Sequence, residues 1–425
     1  MLSRAAVAGA SVTLAALVAT ASADTGRAHK RKQPERPTFA GFQLDLATEA
    51  SIAGGVRDGV GVRRDRGALW RVAAEATGGA ERGPIRIELP LAAAHEQLVS
   101  ANLDETSGEL GLEVRYRNGP RFRVTGGAGL RAVWRPSWPD LYQPQGDGVY
   151  DTTDRYSFWE RRAELGLAAI PFRHQHARVR YRYRLLDYAT DPAFAPVAAP
   201  THLAPFDKAR HEVALSWRYL GEGWKLGATL DLFQESAYFQ FARDAGTGLT
   251  HAPPGGPPPN PLQVIRGAEP AIEGEVELAH GAVVVSAGYG LELVEDPFQG
   301  YYSYVGHHPS LAASAKVGPI KTKVGIEAWL RRYGDGSYQP GAGHPPLLWG
   351  DRRADRRVAV TAGVAWTVAR GLAVTFESRV MVRRTNLPPY VPETYPAGRE
   401  YDIDWSYDNW QALLGLAFVA SAPGR

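Results

Sequence analysis

Arginine occupies every second position of the segment 178–184, and the residues between are valine or tyrosine. Successive side chains of a β-strand point to opposite faces, so this pattern places the arginines on one face and the apolar side chains on the other. The planar guanidinium group offers a fork of N–H donors that matches carboxylate, sulfate and phosphate groups. A strand of this kind can therefore bind or guide anions.

The same alternation recurs along the chain after residue 42. Charged and apolar residues alternate in the segments 109–117, 272–278 and 320–331, and valine-rich alternation follows at 358–366 and 372–382. Period-two alternation is typical of half-buried strands, and no competing amphipathic-helix pattern is present. No run of about 18 apolar residues follows the N-terminal segment, which argues against membrane-spanning helices. The sequence therefore predicts an all-β protein.

The connections between these segments alternate in length. Short turns are predicted at sites such as Asn118-Gly119-Pro120 and His280-Gly281. Long connections, rich in Pro, Gly, Tyr and Trp, are predicted at 136–152, 188–207, 237–268, 295–307, 333–353 and 385–401. Short periplasmic turns and long extracellular loops produce this alternation in membrane barrels, whereas a soluble sandwich has no reason to separate its loops by length. We predict a transmembrane antiparallel up-and-down β-barrel of about 16 strands, within a range of about 14 to 18.

Four strands are predicted before residue 118, at roughly 42–53, 66–77, 84–94 and 109–117. They are less regular than the later ones, because Pro90 interrupts the third and central strands exclude proline. Aromatic residues close to predicted strand ends are expected to form girdles at the two membrane interfaces. These are Trp134, Trp138, Tyr156, Phe158, Trp159, Tyr188, Trp217, Tyr219 and Trp224.

The N-terminus has the features of an export signal. Arg4 precedes an apolar run from Ala5 to Ala19, and Ala21-Ser22-Ala23 offers the small residues that signal peptidase requires. We therefore assign residues 1–23 to a signal peptide and 24–40 to a basic, proline-containing periplasmic leader. Residues 41–420 are assigned to the barrel and 421–425 to a C-terminal tail.

The segment 410–418 alternates apolar residues and ends on Phe418. It resembles the C-terminal assembly signal of Gram-negative outer-membrane β-barrel proteins, although the residues 419–425 that follow depart from the usual ending. Over nearly all of its mature length the chain resembles that class, as a porin-like or polysaccharide-export-type barrel, with no single family matched. The resemblance implies an outer-membrane location, contact with outer-membrane lipid and lipopolysaccharide, and recognition by the barrel-assembly machinery.

In such a barrel the apolar face meets lipid and the charged face lines the lumen, because an Arg or Lys facing lipid at mid-depth costs about 2–4 kcal/mol. The basic residues expected along a solute track are Arg115, Arg117, Arg121, Arg123, Arg131, Arg178, Arg180, Arg182, Arg184, Lys321, Lys323, Arg379 and Arg383. The acidic lumen residues are expected to be Glu113, Glu160, Glu164, Glu273, Glu275, Glu277 and Glu377. The arginines of 115–131 and 178–184 are expected on nearby strands of one wall, where they either guide anions or pair with glutamates across the wall.

Motifs for other chemistry are not found. The chain has no cysteine and a formal net charge of only +3, which argues against disulfides, thiolate metal sites and nucleic-acid binding. No cofactor motif occurs, and the adjacent His307-His308, placed in a predicted loop, is the closest approach to a metal-ligand spacing. We expect a non-enzymatic channel for hydrophilic solutes, in particular anionic ones or polysaccharides. The alternatives are a non-conducting scaffold, adhesin or envelope-complex component, and, less favoured, a barrel hydrolase.

Overall fold

The computed structural model describes residues 43–58, 64–98, 103–135, 138–144, 150–153, 157–188, 207–242, 260–334, 347–369, 372–387 and 406–422. The segments predicted as the signal peptide and the basic leader lie outside these residues. The strands are β1 (Gln43–Asp58), β2 (Arg64–Arg82), β3 (Ile85–Leu98), β4 (Leu103–Asn118), β5 (Phe122–Trp134), β6 (Trp138–Pro144), β7 (Tyr150–Thr153), β8 (Phe158–Ala169), β9 (Gln175–Tyr188), β10 (Lys208–Leu220), β11 (Trp224–Phe241), β12 (Leu262–Leu278), β13 (Val283–Glu295), β14 (Tyr304–Val317), β15 (Ile320–Tyr333), β16 (Ala354–Ala369), β17 (Leu372–Thr385) and β18 (Tyr407–Ala422).

Sixteen of these strands form one closed antiparallel barrel, and β6 and β7 form a separate two-stranded sheet. Each barrel strand pairs with its neighbours along the chain, with β5 next to β8. The barrel closes between β1 and β18, in a register that sets Ile52 opposite Leu414. The predicted up-and-down topology and strand number are thus confirmed, and the last predicted strand is the one that completes the barrel.

The barrel wall shows the predicted alternation. In β8 and β9 the apolar residues face outward and remain exposed, as at Leu165 (56% exposed) and Val179 (46%). The charged residues between them, such as Glu164 and Arg180, are partly covered and face inward. Among the described residues, no helix has the length and apolar character needed to cross a membrane.

The two ends of the barrel differ in their connections. At one end the strands are joined by the short turns 83–84, 119–121, 170–174, 221–223, 279–282 and 318–319. At the other end, the strands that follow β5 are joined by longer connections, such as 135–157 and 386–406. The short-turn end is the periplasmic end in bacterial barrels of this kind, so the long connections are extracellular.

Several predicted loops are shorter than expected, because strand pairing continues beyond the outward-facing apolar residues that we expect to contact lipid. The segment 237–241 belongs to β11 and the segment 262–268 to β12, so the connection predicted at 237–268 is reduced to 242–261. In the same way β14 begins at Tyr304, which places His307 and His308 in a strand and not in a loop. Their side chains point to opposite faces. On the outside, Nδ1 of His307 forms a hydrogen bond with the hydroxyl of Tyr289 (2.5 Å). On the inside, the ring of His308 stacks on that of Trp329.

Pro90 lies within β3 and does not end the strand, contrary to the prediction. The residue pairs toward β4 skip from Glu88 to Leu91, so the ladder is interrupted only where proline lacks an N–H. Gly111 of β4 lies beside this gap, and a Cβ atom there would come within 2.8 Å of Pro90 Cγ. The sheet therefore accepts the proline ring because the opposing residue is glycine.

The aromatic prediction is correct in part. Trp134 and Trp159 are exposed near the extracellular end, and Trp224 stacks on Tyr219 near the periplasmic turns. Phe158 and Tyr188 are instead buried inside, where they pack with Val133. They are not girdle residues, because strand ends place alternate side chains on opposite faces regardless of residue type.

Candidate functional site: the charged inner wall

The four arginines of β9 lie in one row on the inner wall, between β8 and β10. Glu164 of β8 and Glu212 of β10 flank the row. Glu164 lies within 3.4 Å of both Arg178 and Arg182 and within 3.9 Å of Arg180. The arginines of the row therefore share this carboxylate.

Glu212 collects the other contacts of the row. Its carboxylate lies within 3.4 Å of Arg182, 3.3 Å of Arg184 and 3.9 Å of Arg180. Arg210, two residues earlier on β10, approaches it to 3.4 Å. The side chain of Glu212 is only 8% exposed, whereas those of the arginines it contacts are 23–33% exposed. The carboxylate thus lies beneath a layer of guanidinium groups that still reach the lumen.

An aromatic support holds Arg210 in place. Its guanidinium group lies 3.9 Å from the centre of the Phe233 ring on β11. The ring lies in turn over Gly267 of β12, and a Cβ atom at that position would overlap the ring edge. Cation–π contact and the missing side chain of glycine together orient Arg210 toward Glu212.

Further ion pairs line β3, β4 and β8 on the same side of the barrel. Arg115 contacts Glu113 at 2.7 Å and Glu88 at 2.8 Å, and Arg162 is bonded to Glu109. These contacts follow the pairing alternative considered for the sequence, in which neighbouring strands exchange Arg–Glu bonds.

The register places the other predicted residues as follows. Arg117, Arg123 and Arg131 share the inward face of β4 and β5, whereas Arg121 lies in the turn 119–121 and not on the wall. Glu160 shares the inward face of β8 with Glu164 and lies opposite Arg131. On β12, Glu273 contacts Arg218 at 3.2 Å, and Glu275 and Glu277 contact Lys225.

The remaining predicted residues lie on β15 and β17, which are six and eight strand positions from β9 in a barrel of sixteen and so roughly across the lumen. They are Lys321, Lys323, Glu377, Arg379 and Arg383. Arg379 contacts Glu327 at 3.2 Å and Arg383 contacts Asp355 at 3.8 Å. The predicted basic residues therefore form two groups on roughly opposite walls.

A second network at the extracellular rim includes residues that the sequence analysis did not single out as site residues. Glu292 bonds Arg331 at 2.7 Å, and Arg331 lies 4.7 Å from the ring of Tyr304. Tyr304 contacts Tyr333, whose hydroxyl donates to Asp355 at 3.1 Å. This chain ties β13 to β16 across four strands. The alternation of residue types around Glu292 could have predicted that this residue faces inward. Asp355 could not be predicted in this way, because it adjoins a predicted loop.

Comparisons with known proteins leave the family open. No protein-family model matches the chain, and no curated protein matches its sequence. Similar solved structures include OprB of Pseudomonas putida, at a TM-score of 0.47 and 11% identity over 90% of this chain and 94% of that one. OccAB1 of Acinetobacter baumannii has a TM-score of 0.46 and 10% identity, over 92% of this chain and 100% of that one. CdiB from Acinetobacter baumannii has a TM-score of 0.47 and 8% identity over 89% of this chain, which spans 60% of the length of CdiB.

All three scores lie below 0.5, so nothing about solute or activity is transferred from these neighbours. The class rests on the molecule itself. A closed antiparallel barrel with an even strand number, apolar residues outside and charged residues inside defines a transmembrane β-barrel. The chain is an outer-membrane β-barrel protein of the Gram-negative type, as the sequence resemblance predicted.

Proposed function

We propose that this protein is an outer-membrane channel for hydrophilic solutes, and that the arginine row favours anionic ones. One observation carries the proposal. Five guanidinium groups, on Arg178, Arg180, Arg182, Arg184 and Arg210, share the carboxylates of Glu164 and Glu212 on one patch of the inner wall. The arginines of this patch keep 23–40% of their side-chain surface exposed, whereas Glu212 keeps 8% and Glu164 29%. The surface that meets the lumen is therefore mainly guanidinium and attracts anions.

The size of the barrel supports a water-filled interior. Barrels of about 16 strands leave an aqueous channel when no plug fills them, whereas about eight strands leave room only for side chains. The four arginines of β9 keep part of their surface exposed, from 25% for Arg182 to 40% for Arg178. Water at these groups lowers the cost of keeping many charges on the wall.

The chemistry of the row indicates which solutes it favours. Guanidinium groups bind carboxylate, sulfate and phosphate through paired N–H donors. Arginines at alternate positions of one strand repeat about every 6.6–7 Å, since a strand rises about 3.3–3.4 Å per residue. A row with this spacing suits an acidic saccharide or a small organic anion that exchanges partners as it moves along the wall.

Single-channel recording of the full barrel in a planar bilayer tests this proposal. Under a salt gradient, the reversal potential gives the ratio of anion to cation permeability. We expect the double substitution Arg180→Gln/Arg182→Gln to lower this ratio by about threefold. The opposite change is expected for Glu164→Gln, which removes a carboxylate from the same row. Arg161→Gln is the matched control, because Arg161 faces outward and pairs with Asp187 at 3.2 Å.

A non-conducting surface scaffold is the second candidate, and the density of ion pairs on the inner wall favours it. Paired side chains on neighbouring strands stabilise a sheet without any solute. Barrels that insert in the folded state but carry no current would contradict the channel and support the scaffold. Conductance with a reversal potential that none of the inward substitutions alters would retain the channel and reject the role of the arginine row.

A further inference from the structure

We propose that the extracellular end of the outer surface binds the phosphate groups of lipid A through Arg332, Arg356 and Arg384. These three residues, called here the outer arginine patch, lie on the adjacent strands β15, β16 and β17. All three are exposed and face outward, away from the lumen. The patch is separate from the inner wall to which the proposed channel function refers.

The register brings the three arginines together. Arg356 lies directly opposite Arg384, and Leu330 lies opposite Arg356 on the other side. Arg332 is therefore a diagonal neighbour of Arg356. Directly opposed Cβ atoms are about 4.5–5.5 Å apart and diagonal ones about 7–8 Å, so all three guanidinium groups can reach one diphosphorylated headgroup.

The patch lies where the apolar band ends. The outward residues next to it on the periplasmic side are Leu330, Val358 and Val382, all exposed as lipid-facing residues are. On the extracellular side the ring of Trp349 lies 4.4 Å from the guanidinium carbon of Arg356. Arginine stems can lie along apolar surface while their charged ends reach the headgroups. This height corresponds to the phosphates of the outer leaflet.

Among the described residues, Arg332 and Arg356 do not have the acidic partners that outward arginines have elsewhere on this rim. Outward Arg161 is paired with Asp187 at 3.2 Å, and outward Arg266 lies opposite Glu295 in the register. In the patch, by contrast, Arg356 opposes another arginine, and like charges in that position destabilise a sheet.

Among the described residues, no carboxylate lies within 4.0 Å of the guanidinium group of Arg332 or Arg356. Arg384 donates to the carbonyl of Arg383 at 2.9 Å, and Asp408 of β18 occupies the register position opposite Val382, diagonal to Arg384. Asp351, in the nearby connection, is exposed. In the described part of the chain, Arg332 and Arg356 thus bring two guanidinium groups without a carboxylate partner to the outward face. An anionic headgroup bound by the patch would offset the Arg356–Arg384 repulsion, and phosphate suits it because each guanidinium can donate two parallel hydrogen bonds.

The test measures lipid A binding to the full barrel refolded in a neutral detergent. Purified diphosphorylated lipid A is titrated against the parent protein, the triple variant Arg332→Gln/Arg356→Gln/Arg384→Gln, and the control Arg161→Gln/Arg266→Gln. We expect the triple variant to bind about tenfold more weakly, since it loses several charge-assisted hydrogen bonds. The control is expected to match the parent, and lipid A stripped of phosphate is expected to bind the parent as weakly as it binds the triple variant.

Equal affinity of parent and triple variant would overturn the proposal, as would equal binding of phosphorylated and dephosphorylated lipid A. Each protein is first shown to be folded by its heat-dependent migration on a detergent gel. If the triple variant does not fold, the single variant Arg356→Gln takes its place, and the charge-retaining Arg356→Lys is expected to recover part of the lost affinity. This result is independent of channel conductance, which the inner wall governs.

Discussion

Carboxylates of this barrel experience contrasting surroundings. Glu212 is covered by the guanidinium groups of Arg180, Arg182, Arg184 and Arg210, so four positive groups surround its single negative charge. Asp207, five residues earlier and just outside β10, has no guanidinium partner among the residues that the structure describes. Its Oδ1 accepts a hydrogen bond from the backbone N–H of Tyr188 at 2.7 Å. Burial dominates there and raises the pKa of Asp207 to about 6, against the lowering effect of that hydrogen bond, with the charge of Asp187 raising it further.

The raised pKa of Asp207 gives a pH dependence with a definite sign. Between about pH 6 and pH 4 the folded protein binds a proton that the unfolded chain does not yet bind, so this residue adds stability as the pH falls. The contribution is complete below the ordinary aspartate pKa and is lost as the pH rises through about 6. We expect Asp207→Asn to reduce the change in urea midpoint between pH 4 and pH 7 relative to the parent. Asp351→Asn, at an exposed position, is the control, and identical pH profiles for parent and Asp207→Asn would contradict this account.

At the scale of single elements, β11 and β12 show how the sheet positions a functional side chain. Phe233 covers Gly267 and supports Arg210 from below. Aromatic residues that cover a glycine on the neighbouring strand help to fix register in β-sheets. The strand pair therefore contributes to the arginine row without supplying a residue to it.

The substitution Gly267→Ala tests this arrangement. The added methyl group overlaps the Phe233 ring, which must move and withdraw its support from Arg210. We expect a loss of unfolding free energy of about 1–3 kcal/mol, as for other overpacked sites. Gly274→Ala is a matched control on the same strand, because nothing lies within 4 Å of a Cβ atom there. Urea unfolding in detergent micelles measures both variants, and equal losses would show that the ring is not held as described.

Period-two alternation predicted most elements because lipid and water impose opposite requirements on successive residues. It failed at the extracellular ends, where β11 and β12 extend beyond the lipid and pairing no longer demands apolar residues. It also failed at Pro90, since the strand tolerates proline only through the glycine on its neighbour. The alternation of apolar and polar residues along one strand does not show where that strand ends outside the membrane. It also does not show which residue of the neighbouring strand lies opposite a proline.

At the scale of the whole molecule, the charged residues of the barrel differ in the face on which they lie and in their height along the barrel axis. The row on β9 and the basic residues of β15 and β17 lie on roughly opposite inner walls, and the outer arginine patch lies near the extracellular rim. The inner residues could be predicted because the membrane separates the two faces. Their partners could not, because the choice of Glu164 and Glu212 depends on the registers in which β8 and β10 pair with β9.

Cysteine accessibility tests the central claim most directly, and the chain has no cysteine of its own to interfere. Single cysteines are placed at Ser216 and Thr229, which face inward, and at Leu215 and Leu230, which face outward on the same two strands. With the protein in lipid vesicles, we expect a charged, membrane-impermeant thiol reagent to label the two inward positions and to leave the two outward positions unlabelled. Equal labelling of all four positions, or labelling of the outward pair alone, would contradict a barrel with a water-filled, charged interior.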